Sequence, residues 1–243
     1  MTRRIAKQRR GRAPAHDALS KALSPRGCYL SPMMRIVRFS LLSLVALSLT
    51  SCAAPVVEIR RGDAPIEPAR IVLLPASCAS LEGLCIDAHV TATTQIVGKD
   101  LSFAGFLVVD AEKLAVDARL RPNVDPALRA LGERVLRAGN KRQIGMTFED
   151  LAPTARKALL DEGQAQGAVS IRLTIDNESA LGRDTEVMLR YGHGESDALA
   201  FVSRCRVTVR PGGELTEGFA EAARCALEGA LSSTTKASAP QPS

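Results

Sequence analysis

The residues of this 243-residue chain with the most chemistry in them are six cysteines, three histidines and two adjacent pairs of carboxylates. A cysteine thiolate can attack, hold a metal or pair with a second thiol. Cys78, Cys85, Cys205 and Cys225 make an even set, which suits an oxidising compartment and two disulfides. Four cysteines allow three pairings. Cys78–Cys85 closes a short loop and is the natural first pair, which leaves Cys205–Cys225. Zinc is the rival use, with His89 close to Cys85, but the spacing lacks a CxxC pair. His193 lies in a glycine-flanked, solvated turn; His89 falls in a first helical turn, where a surface role is as natural as any other. Glu149-Asp150 and Asp161-Glu162 could divide acid and base work. Both pairs sit at helix ends, however, where acids favour the dipole or simply face water. An enzyme needs a nucleophile, a base and a stabiliser to converge, and no such set is legible. No glycine-rich phosphate loop follows the first strand, where Pro75-Ala76-Ser77 stands instead. The expectation is no catalysis, no cofactor and no metal site.

Cys52 is a different case, because of what precedes it. Arg35 and Arg38 form a short basic segment, and Phe39–Leu49 is an apolar run well short of the ~20 residues that span a bilayer. Leu49-Thr50-Ser51-Cys52 follows. This tetrapeptide resembles the lipobox of bacterial lipoproteins. The resemblance implies cleavage between Ser51 and Cys52, a diacylglyceryl group on the Cys52 thiol and acylation of the new amine. Several acyl chains, at ~0.8 kcal/mol per buried methylene, make a lasting membrane anchor. By resemblance to the sorting rule of that family, Ala53 after the cysteine implies the outer membrane, facing the periplasm. Residues 34–51 therefore read as a signal peptide. Residues 1–33 carry eight Lys/Arg against one acid, Asp17, and no apolar periodicity. They read as an over-extended, disordered start, with translation expected at Met33 or Met34.

The formal charge of +6 belongs to this leading part. Of 32 Lys/Arg and 26 Asp/Glu, residues 1–52 hold ten and one, which leaves 22 against 25 and a remainder near −3. The charge case for a nucleic-acid partner goes with the leader. The remaining 191 residues suffice for one domain with a sizeable core. With no Trp in the chain, that core must be aliphatic.

The elements follow from periodicity and punctuation. Ala53–Pro68, with three prolines, reads as a linker of roughly 20–25 Å span. Ala69–Pro75 reads as a buried strand and Ala76–Cys85 as a loop. Asp87 should cap a helix to about Phe103, ended by Gly105. Phe106–Val109 reads as a second buried strand, followed by a short helix from Asp110. Asp125-Pro126 should open another helix, Gly139–Met146 a loop, and Pro153–Ala165 a further helix. Val169, Ile171, Leu173 and Ile175 then alternate with polar residues, a strand with one wet face. Residues 185–210 read as a hairpin turning at Gly192–Asp197. Thr216–Leu231 reads as the last helix, and 232–243 as a disordered tail. The domain is thus 69–231, an α/β sandwich with a mixed sheet.

IVLLPA (Ile71–Ala76), FLVVDAEKL (Phe106–Leu114) and AVSIRLTI (Ala168–Ile175) make this order similar to the amino-terminal domain of TolB, the curli-secretion lipoprotein CsgG and the penicillin-binding-protein activator lipoproteins. TFEDLAPTARKALLDE (Thr147–Glu162), SRCRV (Ser203–Val207) and AARCALEGAL (Ala222–Leu231) resemble a group of uncharacterised Gram-negative outer-membrane lipoproteins. A curli-type pore is not implied, since Arg190, Arg204, Arg206 and Arg210 line the one long hairpin where a lipid-facing band would be needed. The resemblance supplies a family and no activity; with no catalytic site legible, the expectation is a lipid-anchored module that binds or assembles with a cell-envelope protein. The alternative is a small-ligand binder or enzyme whose site is not legible.

Overall fold

The computed structural model describes residues 55–63, 66–67, 69–79, 83–179, 182–194 and 196–237, without the side chains of 177–179 and 233–237. Cys52, Ser51, the signal segment 34–51, the leader 1–33 and the tail beyond 237 lie outside the described residues. Among the described residues no helix is long and apolar enough to cross a membrane.

Thirteen elements follow one another along the described chain: β1 (Val56–Arg61), β2 (Arg70–Leu73), β3 (Ser77–Ala79), α1 (Asp87–Phe103), β4 (Leu107–Asp110), α2 (Ala111–Arg119), α3 (Pro126–Arg137), α4 (Lys141–Glu149), α5 (Pro153–Gly163), β5 (Gly167–Ser179), β6 (Gly182–His193), β7 (Ala198–Val209) and α6 (Leu215–Ala237). Local chemistry sets several helix starts. The Asp110 carboxylate accepts from Lys113 N at 3.1 Å, Asp125 from Ala127 N at 2.7 Å and Asn140 from Gln143 N at 2.9 Å. Each bond satisfies an N–H that the first helical turn leaves open.

One sheet carries all seven strands, in the order β1-β7-β6-β5-β2-β4, with β3 also beside β5. β2 pairs in parallel with both β4 and β5, and β5 to β6 to β7 to β1 run antiparallel. The architecture is a mixed-sheet α/β sandwich. On one face, α1 and α6 bury Ile71, Leu73, Ile171, Leu173, Val187, Leu189 and Tyr191 together with Val97, Phe219, Ala223 and Ala226. On the other face, α2, α3 and α5 cover only the β2 end, over Val72, Leu74 and Ala168. At ~25 cal/mol per Å² of buried apolar surface, these two clusters dominate the stability; the core expected to be aliphatic also holds aromatics, with Tyr191, Phe201 and Phe219 its largest fully buried side chains.

Several expectations are corrected. The linker Ala53–Pro68 contains β1, which pairs with β7 from Val56↔Arg206 to Arg61↔Phe201. Its low hydrophobicity hides it, because an edge strand has one partner only. Val57 and Ile59 lie over Gly229 of α6, where a Cβ would come within 3.0 and 2.9 Å of their side chains. The loop Ala76–Cys85 contains β3, and the loop Gly139–Met146 is mostly α4. β4 is an edge strand with Leu107 and Asp110 exposed, not a buried one. Asp87 is the first residue of α1, whose N-cap is Ile86. The last helix runs on to Ala237, into the segment read as a disordered tail.

Candidate docking face and cleft

Across β5 to β7, beyond the β2 end that the helices cover, one face of the sheet carries no helix. Register places Ser170, Arg172, Thr174 and Asp176 of β5 on this face. Beside them stand Asp184, Glu186, Met188 and Arg190 of β6, then Val202, Arg204, Arg206 and Thr208 of β7. Val56, Glu58 and Arg60 of β1 complete it. All are partly or fully exposed, while the residues between them on β5, β6 and β7 are buried. The face is polar but ordered. Arg206 lies 3.2 Å from Glu186 and 3.5 Å from Asp176, and Thr208 donates to Asp184 at 2.6 Å. The hydrogen bond to Glu186 is the main reason that the Arg206 pKa is raised further. A shallow groove crosses the face at Met188 and Val202, between Glu58, Arg60 and Arg204.

Where α4 and α5 meet this face, a cleft of about 670 Å³ opens. Leu74 and Pro75 floor it, beyond the carboxyl end of the parallel strand β2, which is where open α/β sheets place ligands. Glu149, Asp150, Arg156, Arg172, Arg190 and Asp197 supply its charge. Arg156, from the first turn of α5, and Arg190, from β6, both pair with the single carboxylate of Asp197. Arg156 also donates to the Gly192 carbonyl at 3.1 Å. Its side chain is only 12% exposed, and its Nε is buried without a hydrogen-bond partner. Burial, partly offset by Asp197, pulls its pKa down. The turn is shaped around this cluster. Asp197 has a φ of 57°, and a Cβ at Gly192 would fall 1.8 Å from the Asp197 carboxylate.

The four cysteines are bonded as Cys78–Cys85 and Cys205–Cys225, with Cα atoms 6.4 and 5.9 Å apart. The first ties β3 to the approach to α1, and the second ties β7 to α6. Cys85 is therefore not available beside His89 as a metal ligand. His89 is buried rather than at the surface: it packs against Phe219 at 5.4 Å, and its Nδ1 accepts from Ile86 N at 3.4 Å. His193 ends β6, 6.4 Å from the Tyr191 ring. Glu162 pairs with Arg121, and Asp161 lies 3.8 Å from Lys157, so that pair of acids is structural. The other pair is not on a bare helix end: Glu149 and Asp150 line the cleft, with Arg172 3.5 Å from Glu149. Sequence reading missed Arg156 and Asp197, which come from a helix and a turn far apart in the chain.

No family model matches this chain, and no curated protein does. Solved structures do match it distantly. The PelC dodecamer from Paraburkholderia phytofirmans is similar at a TM-score of 0.43 and 10% identity, over 72% of this chain and 96% of that one. The lipoprotein GNA1162 from Neisseria meningitidis is similar at 0.40 and 12%, over 68% of this chain and 99% of that one. The neighbours thus include a bacterial lipoprotein. Neither of these two is TolB or CsgG.

Proposed function

We propose that this chain is a lipid-anchored envelope lipoprotein that docks a protein partner at its own membrane and performs no catalysis. In this reading, Cys52 carries the lipid at the outer membrane, and the domain, akin to those of TolB and CsgG, faces the periplasm. The observation that carries the reading is the position of β1. Only Ala53, Ala54 and Pro55 separate Cys52 from the first residue of the sheet. Four Cα steps at ~3.5 Å reach about 14 Å. A lipid on Cys52 therefore holds the β1 edge, and the polar face that begins with Val56, Glu58 and Arg60, close to the bilayer. An exposed sheet edge is a template for a further strand. The ion pairs on the face suit a polar partner surface, which gains specificity from matched charge.

In vivo photo-crosslinking from Thr174, Glu186 and Arg204 tests this. The expected result is a discrete adduct with an outer-membrane or outer-membrane-bound protein. Adducts with inner-membrane proteins alone, or none from any of the three positions, would sink the proposal. A crosslinker at Glu221, exposed on α6 across the sheet from the open face, serves as the control and should give no such adduct.

A further inference from the structure

We propose that the cleft between α4, α5 and the open face is a binding site for a small organic monocarboxylate, seated against Arg156 and Arg190. This stands apart from the docking proposal, since neither needs the other. Its size falls within the ~300–1,000 Å³ of small-ligand pockets. Two guanidinium groups share one carboxylate, Asp197, which leaves that cluster with a surplus of one positive charge. Elsewhere in the lining, Glu149 is met by Arg172, and Asp150 adds a negative charge. A guanidinium carries five N–H donors. Arg156 and Arg190 each meet Asp197 through Nη2, and the side chain of Arg190, a third exposed, lines the cleft where an incoming acceptor can meet it. A carboxylate is the planar acceptor that fits a guanidinium fork.

The charge surplus chooses the ligand. One added negative charge balances the Arg156–Arg190–Asp197 cluster. A dianion such as phosphate overshoots it, in a cleft whose lining also includes Glu149 and Asp150. Phe148, Leu151 and Met188 supply apolar walls for the rest of an organic ligand. Nothing about this site depends on covalent chemistry, and none is proposed.

The test uses the full chain in detergent, with side-chain Nε–H resonances of its arginines as the readout and ionic strength held constant. The probes are N-acetylglycine, its neutral analogue N-acetylglycinamide, and inorganic phosphate. N-acetylglycine should shift the Arg156 and Arg190 signals saturably in the millimolar range, and the amide should not. Arg190→Ala should weaken this binding at least tenfold, and Arg137→Ala, exposed on α3 and outside the cleft, should leave it unchanged. If Arg190→Ala fails to fold, Arg190→Lys keeps the charge and loses the planar fork, and it should weaken binding by at least threefold. No saturable shift, an equal shift with the amide, tighter binding of phosphate, or undiminished binding in the Arg190 variants would overturn the proposal.

Discussion

The carboxylate of Asp87 accepts a hydrogen bond at 3.1 Å from the backbone N–H of Arg142, 55 residues further on. An acid whose place in the sequence suggests a cap for α1 thus satisfies the start of α4 instead. Asn140 serves the same helix through Gln143 N. Asp87→Ala should therefore cost about 1 kcal/mol, the usual worth of a cap. Urea unfolding would measure it, and hydrogen exchange should show the loss of protection at the start of α4. A loss confined to α1 would contradict this assignment.

Gly145, in α4, is held against the backbone between β2 and β3. A Cβ there would lie 2.0 Å from the Ala76 carbonyl oxygen, and backbone cannot give way as a side-chain end can. Gly145→Ala should destabilise the fold by about 1–3 kcal/mol despite the better helix propensity of alanine. Since Phe148 and Glu149 on the same helix wall the cleft, ligand binding should weaken too. An unchanged urea midpoint would show that α4 can shift freely.

Burial lowers the pKa of His89 from its ordinary 6.5. The unfolded chain therefore takes up this proton at a higher pH than the fold does. The stability from keeping His89 neutral is fully present above about pH 6.5 and is lost as pH falls from there through the folded-state value. Urea titrations at about pH 7.5 and pH 5.5 should show a larger loss for the native chain than for His89→Gln. Equal losses would remove His89 from the pH response.

The two disulfides close loops of different length, with sequence separations of 7 and 20. On the chain-entropy model these are worth about 2.4 and about 3.3 kcal/mol. Replacing Cys205 and Cys225 together by Ala should therefore cost more than replacing Cys78 and Cys85. Non-reducing peptide mapping should recover both links, and free thiols at these positions would refute them.

Membrane attachment should rest on Cys52. Cys52→Ser should abolish acyl labelling and move the protein from the membrane to the soluble fraction. Inserting a flexible dozen residues between Pro55 and Val56 should keep the lipid but weaken any crosslinks from the open face, because it frees the β1 edge from the bilayer. A Cys52→Ser chain that still pellets with membranes would remove the anchor from the account.

The sequence alone determined what is local. Asp110 and Asp125 cap their helices because a carboxylate one or two residues ahead of a helix reaches its open N–H groups wherever it occurs. The strict alternation of Val169, Ile171, Leu173 and Ile175 marked the wet face of β5, because side chains on a strand point alternately to its two sides. Tertiary structure decided what depends on distant partners. VVEIRR carries no strong period, and it is a strand only because the outer edge of β7 offers it hydrogen bonds and Gly229 leaves room for Val57 and Ile59. Glu149-Asp150 reads as a solvated helix end until α4 is laid over β3, which pairs Glu149 with Arg172 and puts both acids in one cleft with Arg156. Arg156, Arg190 and Asp197 look like scattered surface charges in the chain. Only the turn that bends at Gly192 and Asp197 brings one carboxylate between two guanidinium groups, and no spacing along the sequence encodes that meeting.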